Sequence, residues 1–247
     1  MKLIADFHTH TVASGHAYST IEEYAAEAQK RGLKYVAITD HGPDMPGAPH
    51  LFHFVNLVMV PEKIGPVRIL RGAEVNIINA EGEIDLPKQA LERLDVVIVA
   101  MHTPCSYNKG DKRSNTRAYL KALDNPYINI IAHPGNQQFP IDHTRIIAKA
   151  REKGVMIEIN NSSPVSRRGS YDACVEIARE VKRIGWKVAI GSDAHISKMV
   201  GGHMQALKIC RAAGLKKDDI VNTSADLIEK YILGPRKKFK KEYAYEF

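Results

Sequence analysis

The 247-residue chain has few of the features that mark secreted or membrane proteins. It contains only three cysteines, an odd number spread far apart: Cys105, Cys174 and Cys210. This disfavours a disulfide framework and fits a reducing compartment. The longest uninterrupted apolar run, 96–101, is far shorter than the roughly 20 residues of a membrane-spanning helix. Asp6 interrupts the N terminus before a signal-peptide core can form. These absences predict a cytoplasmic protein with no membrane partner.

Net positive charge is low outside one short segment. The formal net charge is +7, and a large part of it comes from one C-terminal run: Arg236, Lys237, Lys238, Lys240 and Lys241. The rest of the chain is therefore nearly neutral, which disfavours a long nucleic-acid track. With 44% hydrophobic and 26% charged residues, the composition is typical of a globular protein. We expect a single domain over 1–247, with 235–247 as a basic and aromatic tail that is either solvated or packed on the domain.

Seven short apolar or β-branched runs alternate with helical patterns. The runs lie at 3–7, 35–38, 67–70, 96–100, 128–132, 155–159 and 188–190. Thr20 and Glu23 form a capping box at the start of the first helical pattern, and Gly32 follows its end. Gly154 and Gly185 end later helical patterns in the same way. The repeated strand–helix unit predicts either a (β/α) barrel or a doubly wound parallel sheet.

Residues that commonly bind metals follow six of the seven predicted strands. In chain order they are His8 and His10, His41, Glu74, His102, His133, and Asp193 with His195. A lone histidine beside a strand is more often a hydrogen-bonded structural residue than a ligand. Their recurrence at successive strand ends has no packing explanation, so it indicates a metal site. The carboxyl ends of all strands converge in a barrel and spread along an edge in an open sheet, and the pattern therefore favours a barrel.

Six segments resemble the PHP family, named for polymerase and histidinol phosphatase domains. They are DFHTHTVASGHAYST, AITDHGPDM, LRGAEVNI, AHPGN, EINNSS and IGSDAH, which together extend from residue 6 to residue 195. The sequence around GHAYST and DHGPDMPGAPH is most similar to that of the stand-alone YcdX-type phosphatases of this family. The resemblance implies a distorted (β/α)7 barrel, similar to a TIM barrel, with a trinuclear metal centre at the C-terminal ends of the strands. It also implies hydrolysis of phosphoesters.

The same resemblance, carried over position by position, implies nine ligands for three divalent ions. One ion would be held by His8, His10, Glu74 and Asp193, a second by Glu74, His102 and His133, and a third by His16, His41 and His195. Seven neutral imidazoles and two carboxylates leave such a centre with a charge of about +4, which attracts anions. Zinc is the expected metal, with manganese and iron as alternatives, because imidazole and carboxylate ligands suit all three.

Residues outside this set are candidates for proton transfer and substrate binding. The 42–54 segment follows His41 and is expected to overhang the pocket, which makes His50 and His53 alternatives for proton transfer. Asp193 and His50 are the catalytic candidates for protonating the leaving oxygen, and the sequence does not choose between them. After the sixth strand, Asn161 and Arg168 are expected to bind the phosphate of the substrate. The alternative for this segment, which also contains Arg167, is an exposed turn.

The predicted function is that of a metal-dependent phosphoric monoester hydrolase acting on a small phosphorylated substrate. A hydroxide bridging two ions at Glu74 is expected to attack phosphorus. The sequence has no phosphate-binding loop and no dinucleotide fingerprint, so a nucleotide cofactor is not expected. One alternative is a phosphodiesterase or exonuclease acting on nucleic-acid ends. An amidohydrolase is disfavoured because that class commonly has a lysine where this chain has Glu74. A non-catalytic metal-binding or scaffolding domain is the third alternative, and missing ligands would distinguish it.

Overall fold

The strands of the computed structural model, which describes residues 1–108, 110–167 and 169–239, form one sheet. They are β1 Ala5–Asp6, β2 Tyr35–Ile38, β3 Lys63–Ile64, β4 Val67–Asn76, β5 Val96–Ala100, β6 Ile130–Ile131, β7 Met156–Asn160 and β8 Val188–Gly191. Seven strands run parallel in the order β1, β2, β4, β5, β6, β7, β8, and the short β3 pairs antiparallel with β4. A bridge between Thr9 and Ala194 joins the segments after β1 and β8. The sheet is thus nearly closed, which confirms the predicted distorted barrel.

Helices alternate with these strands. The α-helices are α1 Ile21–Lys30, α2 Leu51–Asn56, α3 Lys88–Leu91, α4 Lys112–Ala122, α5 His143–Lys153, α6 Ser163–Ser166, α7 Ser170–Ile184, α8 Met204–Ala212, α9 Ala225–Ile228 and α10 Gly234–Lys237. Short 3-10 helices lie at Val12–Ser14, Leu57–Met59, Ser197–Met199, Lys217–Asp219 and Val221–Thr223, and a π-helical turn lies at Glu229–Leu233. Within the described part of the chain, no helix is long and apolar enough to cross a membrane.

Local sequence signals determine where the principal helices begin and end. At α1 the Thr20 hydroxyl accepts a hydrogen bond from the Glu23 amide at 3.3 Å, and the Glu23 carboxylate accepts one from the Thr20 amide at 2.7 Å. Both halves of the predicted capping box are therefore present. Gly154 and Gly185 end α5 and α7 with φ angles of 76° and 73°, a left-handed conformation that glycine adopts without steric cost.

The inner core is narrow because small residues occupy several of the inward positions. Alanines from five strands or strand ends contribute to it: Ala5, Ala37, Ala100, Ala132 and Ala189. Val221, Ile228, Ile232 and Leu233 of the C-terminal segment belong to the same cluster. The Asn222 carbonyl accepts from the Ile4 amide just before β1, so this segment lies at the amino ends of the strands. The carboxyl ends are left for the candidate site.

The fourth strand is longer than its apolar pattern predicts. The sequence indicates a strand over 67–70, whereas β4 continues to Asn76 and includes Glu74. β2 pairs with residues 68–71 of β4 and β5 pairs with residues 72–76, so the pairing with β5 extends the strand through a stretch that contains polar residues. At Gly72 a Cβ atom would lie 2.8 Å from the Val96 side chain, so glycine permits the close approach of β4 and β5. Glu74 is therefore held within the strand.

The C-terminal basic run begins with a packed side chain. Arg236 is 1% exposed and donates hydrogen bonds to the carbonyls of Leu94 at 2.9 Å, Tyr127 at 2.9 Å and Leu91. Its guanidinium also lies over the rings of Tyr127 and Phe239. Burial lowers the pKa of this guanidinium to about 10. Of the two expectations for the tail, packing therefore applies at Arg236; Lys240 and Lys241 lie outside the described residues.

Candidate metal centre

The nine predicted ligands lie at one end of the barrel. His8 and His10 follow β1, His41 follows β2, Glu74 is in β4, His102 and His133 follow β5 and β6, Asp193 and His195 follow β8, and His16 comes after the Val12–Ser14 turn. A pocket of about 370 Å³ opens here, lined by His16, His41, Met45, Pro46, His102, Pro104, Arg167, Asp193 and His195. Residues from distant parts of the chain thus meet at the carboxyl ends of the strands, as the barrel prediction requires.

Glu74 lies at the centre of this group and is fully buried. Its Oε2 atom lies 3.4 Å from Nε2 of His8, 3.5 Å from Nε2 of His10 and 2.8 Å from Nδ1 of His41. Its Oε1 atom lies 2.8 Å from Nε2 of His133 and 3.4 Å from Nε2 of His102. The two oxygens of one carboxylate therefore face two different groups of imidazoles.

Asp193 divides its oxygens in a similar way. Oδ1 lies 3.3 Å from Nε2 of His10 and 3.6 Å from Nε2 of His8. Oδ2 accepts hydrogen bonds from Arg167 Nη2 at 3.0 Å and Asn160 Nδ2 at 3.2 Å. The guanidinium and the amide orient the carboxylate so that its other oxygen faces the histidines.

The remaining imidazoles form the outer part of the site. The His16 ring centroid lies 5.1 Å from that of His41 and 5.0 Å from that of His195. His16 is exposed and His195 is partly exposed, whereas His8 and His10 are buried. The His10 ring lies 4.3 Å from the His41 ring and 4.5 Å from the His195 ring. The outer group is thus continuous with the buried one.

The donor atoms fit divalent metal ions. Among the described residues, donors lie within 4.8 Å of one another in three overlapping groups: His8, His10 and Asp193; His41, Glu74 and His102; and His10, His41 and His195. Ligands about 2.1 Å from a tetrahedral ion are about 3.4 Å apart, close to the separations measured here. His41 Nδ1, His102 Nε2 and Glu74 Oε2 are buried and make no hydrogen bond with the described residues, although His41 Nδ1 and Glu74 Oε2 lie 2.8 Å apart. Such orphan atoms cost about 1–3 kcal/mol each, and metal coordination would satisfy them.

The electrostatics of the cluster favour an ionised Glu74 carboxylate and neutral His10 and His133 rings. At His8, burial alone would lower the pKa, but the neighbouring Glu158, Glu74 and Asp193 carboxylates outweigh it and raise the pKa well above its usual range. Burial and the neighbouring His41 lower the pKa of His10 to about 3, and burial together with Arg167 lowers the pKa of His133 to about 4. Burial alone would raise the pKa of Glu74, but the charges of His8 and other histidines outweigh it and hold the pKa well below its usual range. These neutral imidazoles and the Glu74 carboxylate have the protonation states that metal ligands need.

Two of the predicted ligands have strained backbones. His133 and Asp193 are the non-glycine residues with positive φ angles in the described chain, at 30° and 56°. Such conformations cost of order 1–3 kcal/mol each and cluster at functional sites. Both residues lie just beyond strand ends, where a left-handed turn redirects the side chain. The strain therefore coincides with the positions at which the barrel directs ligands inward.

Several residues that support the ligands were not identified from the sequence. Asn76 Oδ1 lies 2.7 Å from Nδ1 of His102, and Glu158 Oε1 lies 2.7 Å from Nδ1 of His8. Partners of this kind fix the ring orientation of metal-binding histidines. The available signal at Glu158 is a carboxylate within the apolar run 155–159, and a buried charge in a central strand requires a partner.

A second supporting network centres on the buried Asp40. Its carboxylate accepts hydrogen bonds from the Thr11 amide at 2.7 Å and the Ser14 hydroxyl at 2.7 Å. Ser14 Oγ in turn accepts from the His41 amide at 3.2 Å and lies 3.4 Å from Nδ1 of His10. His53 Nε2 lies 3.3 Å from Asp40 Oδ2. His53 thus contacts the network that holds two predicted ligands.

The candidates for substrate binding and proton transfer lie in three different segments of the chain: before α2, directly after β7 and after α6. His50 is exposed and precedes α2, where its Nδ1 accepts from the Phe52 amide at 3.4 Å. The Asn161 Oδ1 atom accepts from the Gln205 and Ala206 amides at the start of α8, at 2.8 and 3.2 Å. Arg168 lies outside the described residues, whereas the neighbouring Arg167 lines the pocket. The roles of His50, Asn161 and Arg168 stay predictions.

Two loops meet at the mouth of the pocket. Met45 and Pro46 belong to the segment after His41, and Pro104 belongs to the loop after β5. The Asp44 carboxylate joins the loops by accepting from the Ser106 amide at 2.7 Å and the Ser106 hydroxyl at 2.6 Å. The expected overhang of the 42–54 segment is therefore present at its first residues, and the loop after β5 is a wall that the sequence did not indicate.

A nearly closed parallel barrel with a histidine and carboxylate cluster at its carboxyl ends defines a metal-site α/β barrel. Within that class, the PHP domain family model matches residues 6–184, and the chain belongs to this family. It is 50% identical over 239 residues to a probable phosphatase of Thermoanaerobacter sp. strain X514, covering 96% of this chain and 98% of the relative. A probable phosphatase of Acetivibrio thermocellus is 44% identical over 242 residues, covering 98% and 100%.

The fold is also similar to that of a histidinol phosphate phosphatase from Lactococcus lactis, whose crystal structure contains zinc, L-histidinol and phosphate. The TM-score is 0.62 at 18% identity, with 86% of this chain and 94% of the other covered. At this level of identity the likeness supports the architecture. The family and the curated relatives together support a metal-binding PHP phosphatase.

Proposed function

We propose that this protein is a metal-dependent phosphatase that removes phosphate from small phosphomonoesters at a site for three divalent ions. The observation that carries the proposal is the convergence of seven imidazoles and two carboxylates on one pocket that Arg167 also lines. The phosphatase relatives support the same chemistry. We propose zinc as the metal, with manganese and iron as alternatives.

The proposed ligand sets share Glu74 between two ions and assign His41, which also lies 2.8 Å from Glu74 Oε2, to a third. His8, His10, Glu74 and Asp193 would hold one ion, Glu74, His102 and His133 a second, and His16, His41 and His195 a third. The distances from Glu74 Oε2 to His8 and His10, and from Oε1 to His102 and His133, support a bridging position for this carboxylate. Bound ions would supply Lewis-acid polarisation of the phosphoryl oxygens and a nucleophile at neutral pH.

Arg167 is the proposed protein donor to the phosphoryl oxygens. Its side chain is 17% exposed, lies in the pocket wall and is fixed by Asp193 and by the Ser163 hydroxyl at 3.3 Å. A guanidinium presents five donors in a planar fork that matches phosphate geometry. A fixed fork needs little rearrangement when negative charge develops on the phosphoryl group. Arg168 and Asn161 remain proposed substrate contacts.

His50 and Asp193 are the two proposed residues for moving the proton that the leaving oxygen takes up. Asp193 accepts hydrogen bonds from a guanidinium and an amide, contacts that favour its ionised form. This favours Asp193 as a ligand and His50 as the proton donor. His50 immediately precedes α2 and lies a few residues after Met45 and Pro46 of the pocket wall.

The pocket supports a preference for a terminal phosphate. Its mouth is limited by Met45, Pro46 and Pro104, and a diester must pass a second substituent between these walls. A monoester dianion also matches a centre of about +4 better than a diester monoanion does. We expect kcat/KM for the monoester to exceed that for the diester by tenfold or more, about 1.4 kcal/mol of transition-state binding.

The test compares a monoester and a diester that share one chromogenic leaving group, with each metal in turn. Release of the leaving group and of inorganic phosphate is measured at several substrate concentrations to give kcat/KM. Faster cleavage of the diester, or of single-stranded DNA, would replace the phosphatase proposal with the nuclease alternative. Absence of hydrolysis from metal-loaded protein across a panel of phosphorylated metabolites would favour the non-catalytic alternative.

A further inference from the structure

Glu158 lies beneath the metal centre and contacts two of its parts. It is in the middle of β7, is 3% exposed, and is not one of the nine proposed ligands. Its Oε1 atom lies 2.7 Å from Nδ1 of His8, and its Oε2 atom accepts from the His133 amide at 2.6 Å. Oε2 also accepts from Asn160 Nδ2 at 3.1 Å. Both oxygens are therefore occupied by groups that belong to or support different proposed ions.

We infer that Glu158 is a positioning residue that sets the geometry of two metal ions at once, one through the ring of His8 and the other through the backbone of His133. This inference rests on the proposed function, because it assigns His8 and His133 to separate ions that share Glu74. Glu158 itself is not one of the proposed metal ligands, and it does not line the pocket in the described structure.

The contact with His8 determines which ring nitrogen is available. A carboxylate oxygen only accepts hydrogen bonds, so it holds the proton of a neutral His8 ring on Nδ1. The lone pair is then on Nε2, the atom that faces His10, Glu74 and Asp193. A carboxylate behind a metal-binding histidine also increases the basicity of the ring.

The contact with His133 acts on the backbone instead. The φ angle of His133 is 30°, and a strained conformation persists only where surrounding contacts hold it. The short bond from the His133 amide to Glu158 is such a contact, and it places Nε2 of His133 2.8 Å from Glu74. The Oε2 atom of Glu158 therefore keeps His133, a proposed ligand of the other ion, in place.

Gly191 provides the space that this arrangement needs. A Cβ atom at Gly191 would lie 2.2 Å from Oε1 of Glu158 and 2.4 Å from Cβ of His8. The position at the end of β8 is thus limited to glycine by the close approach of the carboxylate and the histidine. The need for glycine at this position is independent support for the contact between Glu158 and His8 as part of the site.

Glu158→Gln tests the inference because glutamine has the same shape but only one accepting oxygen. If that oxygen faces His8, the amide NH2 opposes the His133 N–H, and two donors meet. If the oxygen faces His133, the NH2 donates to His8 Nδ1, and the proton moves to the Nε2 atom that the metal needs. One orientation breaks the contact with His133, and the other reverses the hydrogen bond with His8 and places its proton on the wrong nitrogen.

The measurement is metal affinity, made by titrating the metal-free full-length protein with zinc in competition with a chromophoric chelator. We expect the parent to bind three ions, and Glu158→Gln to bind one or both of the Glu74 pair 10–100-fold more weakly. The His16, His41 and His195 site, which Glu158 does not contact in the described structure, should keep its affinity. Glu152→Gln, in the exposed part of α5, is the control and should match the parent.

A second measurement needs no variant. In the zinc-loaded parent labelled with ¹⁵N, NMR should show His8 with a slowly exchanging proton on Nδ1. A deprotonated Nδ1, or a Glu158→Gln protein that binds all its ions as tightly as the parent, would overturn the inference alone. A parent that binds fewer than two ions would overturn the proposed function and this inference with it.

Discussion

Arg167 has two proposed roles: it donates to the phosphoryl group in the pocket, and it orients the Asp193 carboxylate. Replacing Arg167 tests which of the two roles affects catalysis. Arg167→Met removes the charge and the five donors while keeping a long side chain of similar reach. In the parent, Nη2 donates to Asp193 at 3.0 Å, and Nη1 lies 3.3 Å from the hydroxyls of Ser163 and Ser166. The variant therefore loses the proposed phosphate donor and one of the two groups that orient Asp193.

The size of the effect follows from what the guanidinium does in the transition state. Loss of one fixed donor to developing negative charge costs 10²–10³-fold in rate, about 2.7–4 kcal/mol. We therefore expect kcat/KM for a small phosphomonoester to fall by about 100-fold or more. Arg167→Lys keeps the charge without the planar fork and should recover part of this loss, to within about tenfold of the parent.

The assay measures phosphate release and metal content on the same samples. Arg183→Met serves as the control, because Arg183 lies on the exposed side of α7 and pairs with Glu180. The reasoning predicts a large fall in kcat/KM at nearly full metal occupancy. An unchanged kcat/KM in Arg167→Met would refute the assigned role. A loss that disappears when excess metal restores full occupancy would show that Arg167 acts only through Asp193.

The remaining predictions concern metal content, stability and thiol reactivity. Elemental analysis of protein purified without chelator should give close to three divalent ions per chain; one ion or fewer, not refilled by added metal, would exclude the trinuclear proposal. His16→Ala should release one ion, whereas Glu74→Ala should disturb two, and equal losses would show that the ligand sets are divided differently. Arg236→Met should lower stability by about 3 kcal/mol, because three buried carbonyls lose their donor, and lower the Tm by about 6–12 °C; a change under about 1 °C would contradict this. Burial raises the pKa of all three cysteines to about 12, so they remain protonated at pH 8, and native protein should leave a thiol reagent unreacted until it is unfolded. Rapid labelling of the native protein would refute this.

The sequence identified the strands because a buried parallel strand reads as a continuous apolar run. It was least accurate where polar residues occupy a strand, as in β4, whose last residues include Glu74 and Asn76. The fifth apolar run also predicted a strand of five residues, 128–132, of which only Ile130–Ile131 pair as β6. Both differences arise because pairing depends on neighbouring strands that the local pattern does not contain.

The ligand positions were predictable for a different reason. Strand ends of a barrel converge whatever the intervening helices are, so the positions of eight histidines and carboxylates after successive strands were enough to gather them, whereas His16 was indicated only by the resemblance to the PHP family. The supporting residues were not predictable in this way. Glu158 meets His8 across 150 positions of sequence, and only the placement of β7 next to β8 and of β8 near β1 brings them together. The placement of Arg167 in the pocket wall likewise depends on the turn of a four-residue helix.

The strain at His133 and Asp193 connects the fold to the proposed chemistry. Each residue adopts a positive φ angle just beyond a strand, and each is held by contacts from β7 or the segment after it. Glu158 holds the His133 amide, while Asn160 and Arg167 hold the Asp193 carboxylate. The sixth parallel strand along the chain, β7, thus contributes no proposed ligand of its own but fixes the ligands that follow β1, β6 and β8. The strand without proposed ligands therefore supplies fixed partners for residues of the strained turns on either side of it.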